Sequence, residues 1–408
     1  MDAETFSGNS LESSEVRNIL TLRYNTSFTS NLPKLTWKDF KESEESFSVD
    51  DLENLLKTFL EEKLNSNVKT ISLGLSGGID STLVISLLKK FFSEVNIEAT
   101  SVKFAGSVDE TQHAAKIANY FGIDHHIIHL DNFLKELPKM ISITQKPFWD
   151  LHWYYVAKEA QKFSKYIATG DGGDELFGGY IFRYEKYLTL VDNESTPLQK
   201  VKAYLECHER DWVPDQELLF DTKANFSWDS IYSILLPYFD NPLPTLTQVF
   251  LADYNGKLLY NFDPLNAKIN NFFGIESLTP LLSRKIISQT AHLPINCKFD
   301  KVNNNGKLLL KKLLKKLGTD SFVTEKKLGF SVNTVDLWKY HGHRLCKDYL
   351  LDSRIVQDGW IRKDWISKYI DRESLNVRYV NKFLGLLAFE IWYRLFVSKE
   401  IKPNETLS

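Results

Sequence analysis

Residues 71–81 read Ile-Ser-Leu-Gly-Leu-Ser-Gly-Gly-Ile-Asp-Ser, an apolar run that ends in a Ser-Gly-Gly-x-Asp-Ser turn and leads into a helix-forming stretch over 82–92. Two consecutive glycines let backbone N–H groups approach an anion closely, and the helix that follows directs its unpaired N–H groups at the same point. Serine hydroxyls add donors, and the Asp80 carboxylate is placed to hold Mg²⁺ against that anion. The stretch therefore predicts a strand, a helix and, between them, a phosphate-binding turn formed by Ser76, Gly77, Gly78, Asp80 and Ser81.

This turn is not the phosphate loop of P-loop NTPases. It lacks their Gly-Lys-Ser/Thr ending, and Gly256-Lys257-Leu258 and Gly306-Lys307-Leu308 depart from that ending too. The hexapeptide instead resembles the loop of the ATP pyrophosphatases, which cleave ATP between its α and β phosphates and keep the pyrophosphate in this turn. Small residues and an aspartate also form ordinary strand-to-helix turns, so the hexapeptide alone leaves that alternative open.

A second glycine-rich segment follows the apolar residues 166–168. Residues 169–180 read Thr-Gly-Asp-Gly-Gly-Asp-Glu-Leu-Phe-Gly-Gly-Tyr, with five glycines and three carboxylates. Glycine loses the most backbone entropy on folding, so this composition is costly for a purely structural turn. We therefore predict a ligand-binding loop at the carboxyl end of a parallel strand.

Together the two segments resemble the synthetase domain of the asparagine synthetase family, and the similarity extends from about residue 68 to about residue 340. Residues 276–280, Glu-Ser-Leu-Thr-Pro, resemble the family's Glu-x-Arg-x-Pro segment, and 327–330, Lys-Leu-Gly-Phe, resemble its Lys-x-Gly-Phe turn. Strand and helix patterns that alternate over 69–170 favour a parallel sheet. The expected fold is α/β, a doubly wound parallel sheet of the ATP pyrophosphatase type with a largely helical C-terminal part.

The resemblance implies a reaction in which a substrate carboxylate attacks the α phosphorus of ATP and an amine opens the resulting acyl-adenylate. Negative charge collects in that transition state, so metal and cations matter more than a base. The implied cofactors are ATP and Mg²⁺, with Asp80 and Asp174 as metal ligands, although Asp174 could instead cap the next helix. The residues carried over for adenine recognition are Leu75, Val102, Thr169 and Gly170, of which the first two could equally be ordinary core residues.

Three residues are catalytic candidates by the same resemblance. Lys327 matches the lysine of the Lys-x-Gly-Phe turn and would stabilise charge near the α phosphate, unless it is a solvated surface lysine. Lys307 could reach the phosphates or belong to the solvated face of an amphipathic helix over 307–317. Asp171 would lie near the reacting acyl group.

The chain departs from the family at several of these positions. Asp171 stands where asparagine-forming members have Glu, which is one methylene longer. Leu278 and Ser283 stand where the family has Arg and Asp, and Glu325 stands where it usually has Arg. The loss of an arginine fork weakens bidentate recognition of a second substrate carboxylate. The residues therefore support ATP chemistry more strongly than specificity for aspartate.

Composition indicates a water-soluble enzyme. The 408 residues are 43% apolar and 25% charged with a net charge of −3, which gives no reason to expect nucleic acid or an anionic membrane as a partner. Three widely spaced cysteines indicate neither disulfides nor zinc. The acidic start, Met1-Asp2-Ala3-Glu4, argues against a signal peptide, and no apolar run is long enough to span a membrane. We expect a cytoplasmic location.

Three parts are expected along the chain. Residues 1–47 show no sustained period and predict a poorly ordered arm or a short capping extension. Residues 48–195 predict the ATP pyrophosphatase core, and 196–408 a helical part that completes the synthetase site.

The predicted function is that of an ATP-dependent ligase that adenylates a carboxylate and converts aspartate to asparagine. The alternatives are amidation or cyclisation of another carboxylate, and a nucleotide-binding subunit of a glutaminase complex. Family members that use glutamine carry a catalytic cysteine directly after the initiator methionine, where this chain has Asp2. We therefore expect free ammonia, a separate glutaminase subunit or a different nucleophile.

Overall fold

The computed structural model describes residues 11–43, 47–65, 67–322, 332–372 and 374–408. Its centre is a parallel sheet of five strands in the order β3-β2-β1-β4-β5. The strands are β1 (Thr70–Gly74), β2 (Asn96–Phe104), β3 (Asp124–Leu130), β4 (Tyr166–Ala168) and β5 (Glu276–Leu278). The predicted α/β fold with a doubly wound parallel sheet is confirmed.

The middle of the sheet is apolar and closed to water. Ile71 and Leu73 of β1 pair with Ile97 and Ala99 of β2, and all four are fully buried. On its other side β1 pairs with β4, Leu73 opposite Ala168. Strand β1 therefore lies between β2, which follows it in the chain, and β4, which comes later. This reversal of the strand order opens a crevice at the carboxyl ends of β1 and β4.

Helices cover both faces of the sheet and build the rest of the molecule. Those before β5 are α1 (Ser13–Leu22), α2 (Val49–Lys63), α3 (Ile79–Phe91), α4 (Thr111–Phe121), α5 (Leu137–Thr144), α6 (Trp153–Ala160), α7 (Gly173–Phe177), α8 (Ile181–Leu190), α9 (Pro197–Cys207), α10 (Gln216–Leu219), α11 (Trp228–Phe239), α12 (Thr245–Asp253) and α13 (Asp263–Phe272). Those after β5 are α14 (Arg284–Ala291), α15 (Ile295–Lys298), α16 (Leu308–Lys316), α17 (Thr334–Leu337), α18 (His343–Leu350), α19 (Arg354–Gln357), α20 (Lys363–Ile370) and α21 (Val377–Phe396).

Local sequence explains several helix ends. Ser48 caps α2, because its hydroxyl accepts from the Asp51 N–H at 3.2 Å while the Asp51 carboxylate accepts from the Ser48 N–H at 2.8 Å. Gly122, with φ of 59°, ends α4 in the left-handed conformation that favours glycine. A hairpin of β6 (Phe299–Asp300) and β7 (Asn305–Gly306) leads directly into α16.

Strand β5 joins the sheet from far along the chain. It pairs with β4, Ile167 opposite Ser277, although it lies beyond the predicted boundary at residue 195. The sheet therefore combines residues from both predicted parts, and the division at 195 stays a prediction.

Residues 11–43, which belong to the predicted arm or capping extension, contact later parts of the chain. Val16, Ile19 and Leu20 of α1 are buried. The side-chain amide of Gln216 donates to the Leu20 carbonyl at 3.0 Å, and the Lys382 ammonium of α21 donates to the same carbonyl. We call residues 11–43 the capping layer because of these contacts, and the predicted boundary at residue 47 stays a prediction.

Among the described residues, no helix combines the length and the apolar character that crossing a membrane requires.

Candidate functional site

The predicted phosphate turn lies between β1 and α3. Gly77 has φ of 76°, and a Cβ there would lie 3.0 Å from the His113 ring and 3.1 Å from the Ala114 nitrogen. The Ser76 hydroxyl accepts from the Gly78 N–H at 3.3 Å. The Ser81 hydroxyl lies 3.3 Å from the Ser76 hydroxyl. The turn thus has the backbone conformation, hydroxyls and helix start that binding an anion requires.

The second glycine-rich loop packs directly on this turn. A Cβ on Gly170 would lie 2.5 Å from the Asp80 Cβ, and one on Gly173 would lie 2.3 Å from Asp80 Oδ1. A Cβ on Gly179 would lie 1.8 Å from Asp174 Oδ1 and 2.5 Å from the Lys307 Cε. Glycine is therefore required at these positions because carboxylates of the site fill the space beside them.

We expect Gly179→Ala to disable the site. The added methyl would push Asp174 and Lys307 apart, and such overpacking costs ~1–3 kcal/mol of folding free energy. Pyrophosphate release should fall by more than ~10-fold. The control is Gly385→Ala in α21, where a Cβ meets nothing within 4 Å and the helix should gain ~0.5–1 kcal/mol. Thermal melting and pyrophosphate release measure both variants, and equal behaviour of the two would contradict the packing argument.

Asp80 and Asp174 converge on one ammonium. Lys307 Nζ lies 2.5 Å from Asp80 Oδ2 and 2.6 Å from Asp174 Oδ1. Lys307 is 9% exposed, and its own N–H donates to the Phe177 carbonyl at 3.0 Å. Burial disfavours its charge, but the two carboxylates outweigh burial and raise the pKa of Lys307 above its usual value. Lys307 therefore lies in the site and not on a solvated helix face.

The same two carboxylates fit a magnesium ion. One oxygen of each carboxylate lies within hydrogen-bonding distance of the same atom, Lys307 Nζ, so the two side chains are close enough to share one cation. Carboxylate oxygens are also the ligands that Mg²⁺ prefers. In the part of the chain that the structure describes, no group of three or more His, Cys, Asp or Glu side chains could hold a metal. Two carboxylates with substrate phosphates and water are the usual protein share of a magnesium site.

A cavity of about 390 Å³ opens beside the two loops. Of the predicted site residues it is lined by Ser76, Asp80, Ser81, Thr169, Gly170, Asp171 and Asp174. Leu75 and Val102 are 0% and 5% exposed and belong to the core behind this lining, so their adenine role stays a prediction. Lys327 falls outside the described residues, as do the neighbouring residues of its turn.

Asp171 faces the part of the cavity nearest α13. Asn266 Nδ2 lies 3.4 Å from Asp171 Oδ2, and the Asp171 N–H donates to the Thr169 hydroxyl at 3.4 Å. Burial raises the pKa of Asp171 despite these hydrogen bonds.

The sequence reasoning missed the polar face of α13. Asp263, Asn266 and Asn270 all line the cavity, and their spacing of three and four residues places them on one helix face. Asn270 accepts from the Trp153 indole N–H at 2.8 Å and donates to the Ser277 hydroxyl at 2.8 Å. Polar side chains that recur at a spacing of three and four residues are the signal that would have indicated them.

Comparisons with known proteins show what the chain is similar to. The sequence model of the asparagine synthase family matches residues 51–394. The chain is 24% identical over 403 residues to asparagine synthetase [glutamine-hydrolyzing] 1 of Bacillus subtilis, covering 89% of this chain and 62% of that protein. It is 21% identical over 423 residues to a putative asparagine synthetase [glutamine-hydrolyzing] of Mycobacterium bovis, covering 91% and 62%. The chain thus spans less than two thirds of the length of these relatives.

Among solved structures, NMN synthetase from Francisella tularensis is similar at 22% identity with a TM-score of 0.26, covering 33% of this chain and 59% of that one.

Proposed function

The chain belongs to the asparagine synthase family, a family of ATP-dependent ligases, and from that premise we propose that it converts aspartate to asparagine with release of AMP and pyrophosphate. The observation that carries the proposal is the convergence of Asp80 and Asp174, which line one cavity and come from two separate glycine-rich loops, on the Lys307 ammonium. An anion-binding turn, two carboxylates and a buried cation are the parts that attack at the α phosphorus requires.

The proposed reaction has two steps. An oxygen of the aspartate side-chain carboxylate attacks the α phosphorus, the bond from the α phosphorus to the bridging oxygen breaks, and pyrophosphate leaves. Ammonia then attacks the acyl carbon, loses a proton and displaces AMP. In this proposal Ser76, Gly77, Gly78 and Ser81 hold the pyrophosphate.

Each further residue has a proposed part. A Mg²⁺ ion held by Asp80 and Asp174 would neutralise phosphate charge when it is bound. Lys307 orients these two carboxylates and adds a positive charge next to the phosphates. Lys327 would stabilise charge at the α phosphorus, and the likeness of its turn to the family's Lys-x-Gly-Phe segment supports this role. Asp171 would lie beside the acyl group, and Leu75, Val102, Thr169 and Gly170 would surround the adenine.

The proposed nitrogen source is ammonia, free or delivered by a separate glutaminase subunit. Glutamine hydrolysis by a cysteine needs a thiolate. Burial raises the pKa of Cys207 to about 12 and that of Cys346 well above its ordinary value, so both thiols stay protonated at neutral pH. None of the three cysteines, Cys207, Cys297 and Cys346, lines the cavity. A cytoplasmic location is proposed because the reaction consumes ATP.

The test is pyrophosphate release by the purified chain with ATP, Mg²⁺ and aspartate, in the presence of ammonium or of glutamine. We expect asparagine and AMP in equal amounts with ammonium, and neither glutamate nor asparagine with glutamine alone. Pyrophosphate release with other carboxylates but not with aspartate would reject the assignment of the substrate. Glutamate formed from glutamine by this chain alone would reject the assignment of the nitrogen source.

A further inference from the structure

Three further residues that line the cavity carry hydrogen-bond acceptors. Asp150 and His152 line it between α5 and α6, and Asp263 lines it at the start of α13. Among the lining residues that the structure describes, none is a lysine or an arginine. This wall therefore suits a ligand group that is cationic and rich in N–H donors.

We propose that Asp150 and Asp263 bind the protonated amino group of the acceptor. This rests on the proposed function, because it assigns one more group of the same carboxylate substrate. Asp150 Oδ1 and His152 Nδ1 are buried and accept no hydrogen bond from any other residue in the described ranges. A primary ammonium has three N–H donors and can satisfy such acceptors while a carboxylate on the same molecule reaches the α phosphorus.

The two carboxylates are held in place by the capping layer. Arg23 lies just beyond α1, and its guanidinium nitrogen is 2.5 Å from Asp150 Oδ2. The Arg23 carbonyl accepts from the side-chain amide of Asn261 at 2.6 Å, two residues before Asp263. The Ser30 hydroxyl lies 3.4 Å from Asp263 Oδ2. One short segment, 23–30, therefore contacts both walls, and Arg23 is a positioning residue for Asp150.

The charges of Asp150, Arg23 and Asp263 sum to one uncompensated negative charge. Burial opposes ionisation of Asp150, but the Arg23 guanidinium outweighs burial and keeps the pKa of this carboxyl below its ordinary value. Asp150 and Arg23 thus balance each other. Burial, together with the charge of Asp171, raises the pKa of Asp263 to about 6, so Asp263 carries an unbalanced negative charge at neutral pH. An acceptor ammonium supplies the missing positive charge.

The experiment compares acceptors that differ only in the amino group. The full chain is saturated with Mg²⁺ and α,β-methylene ATP, and L-aspartate, succinate, β-alanine and propionate are titrated in by calorimetry. We expect the amino member of each pair to bind at least ~10-fold more tightly, the value of one charge-assisted hydrogen bond. The isosteric variants Asp150→Asn and Asp263→Asn should abolish this preference and leave binding of succinate and propionate within ~3-fold.

Arg23 is tested against a second arginine of the capping layer. Arg23→Gln should reduce the preference for the amino member, and Arg23→Lys, which keeps the charge beside Asp150, should restore part of it. Arg17→Gln is the control, because Arg17 donates to the carbonyls of Ala224 and Asn225 and does not line the cavity. Affinity for the ATP analogue should stay constant throughout.

Two outcomes would overturn the amino-group site: equal affinity of the parent for both members of each pair, or an unchanged preference in both aspartate variants. The proposed function fails in a different way, when the amino preference persists but β-alanine binds more tightly than aspartate.

Discussion

Replacing Lys307 by alanine is expected to lower single-turnover formation of AMP by ~10²–10³-fold, about 2.7–4 kcal/mol of transition-state stabilisation. The substitution removes a cation that lies between Asp80 and Asp174. It also leaves these two partly exposed carboxylates close together, and the repulsion between like charges should lower the stability of the fold. Added Mg²⁺ should restore part of that stability if it binds the same two carboxylates.

The chain supplies a matched control for this variant. Lys316, at the other end of α16, also bridges two carboxylates, Asp50 and Glu53, but these carboxylates do not line the cavity. Lys316→Ala should leave AMP formation and its Mg²⁺ dependence unchanged. Lys307→Arg should not restore activity, because a planar guanidinium cannot take the place of a compact ammonium between two carboxylates. Activity of Lys307→Ala within ~10-fold of the parent would place Lys307 outside the catalytic machinery.

Asp80→Asn and Asp174→Asn should each remove most Mg²⁺-dependent pyrophosphate release. Asparagine keeps the size of the side chain and an oxygen that can accept from Lys307, so the fold should persist. The loss of one negative charge at the proposed metal site should cost several kcal/mol of transition-state stabilisation and raise the Mg²⁺ concentration needed for half-maximal activity. Pyrophosphate release measured across a Mg²⁺ titration gives both quantities.

The control is Asp50→Asn in α2, which removes an exposed aspartate that pairs with Lys316 of α16. It should behave as the parent does. A double variant, Asp174→Asn with Lys307→Ala, should lose less than the sum of the single losses, because the two residues act on the same phosphates. If either asparagine variant retains activity within ~10-fold of the parent, the metal assignment is wrong.

The sheet and its two glycine-rich loops could be predicted because their signals are local. Apolar runs end in glycine-rich turns at 75–78 and 169–173, and alternating strands and helices between them require a parallel sheet. Strand β5 could not be derived from pattern, since three residues are too few to show a period. Its residues stand out only because 276–280 resemble the family's Glu-x-Arg-x-Pro segment.

Lys307 shows where local pattern has no answer. The lysine-rich stretch after Lys307 forms an amphipathic helix whether Lys307 reaches the phosphates or lies on the solvated face. Only the backbone conformation at residue 307 distinguishes these two interpretations. Lys307 has φ of 55°, outside the helix, and the hairpin before it packs Gly306 against the Gly178 carbonyl. The ammonium therefore enters the site through contacts between residues more than a hundred positions apart.

For a related reason the sequence could not decide between an arm and a capping extension for the segment 11–43. Its apolar side chains, among them Val16, Leu20 and Tyr24, are buried by helices that come much later in the chain. Such contacts leave no periodic trace in 11–43 itself. The amino-group site at Asp150 and Asp263 could not be anticipated, because its residues converge from three separate segments.

The contact between α1 and α21 also constrains the order of events during synthesis. Residues 11–43 leave the ribosome well before Lys382, which donates to the Leu20 and Asp211 carbonyls and lies more than 350 residues after Leu20 in the chain. At translation rates of ~5–20 residues per second, this segment waits tens of seconds before the residues that cover its apolar face are made. A nascent chain stalled before α21 should therefore expose apolar surface of α1 that chaperones recognise.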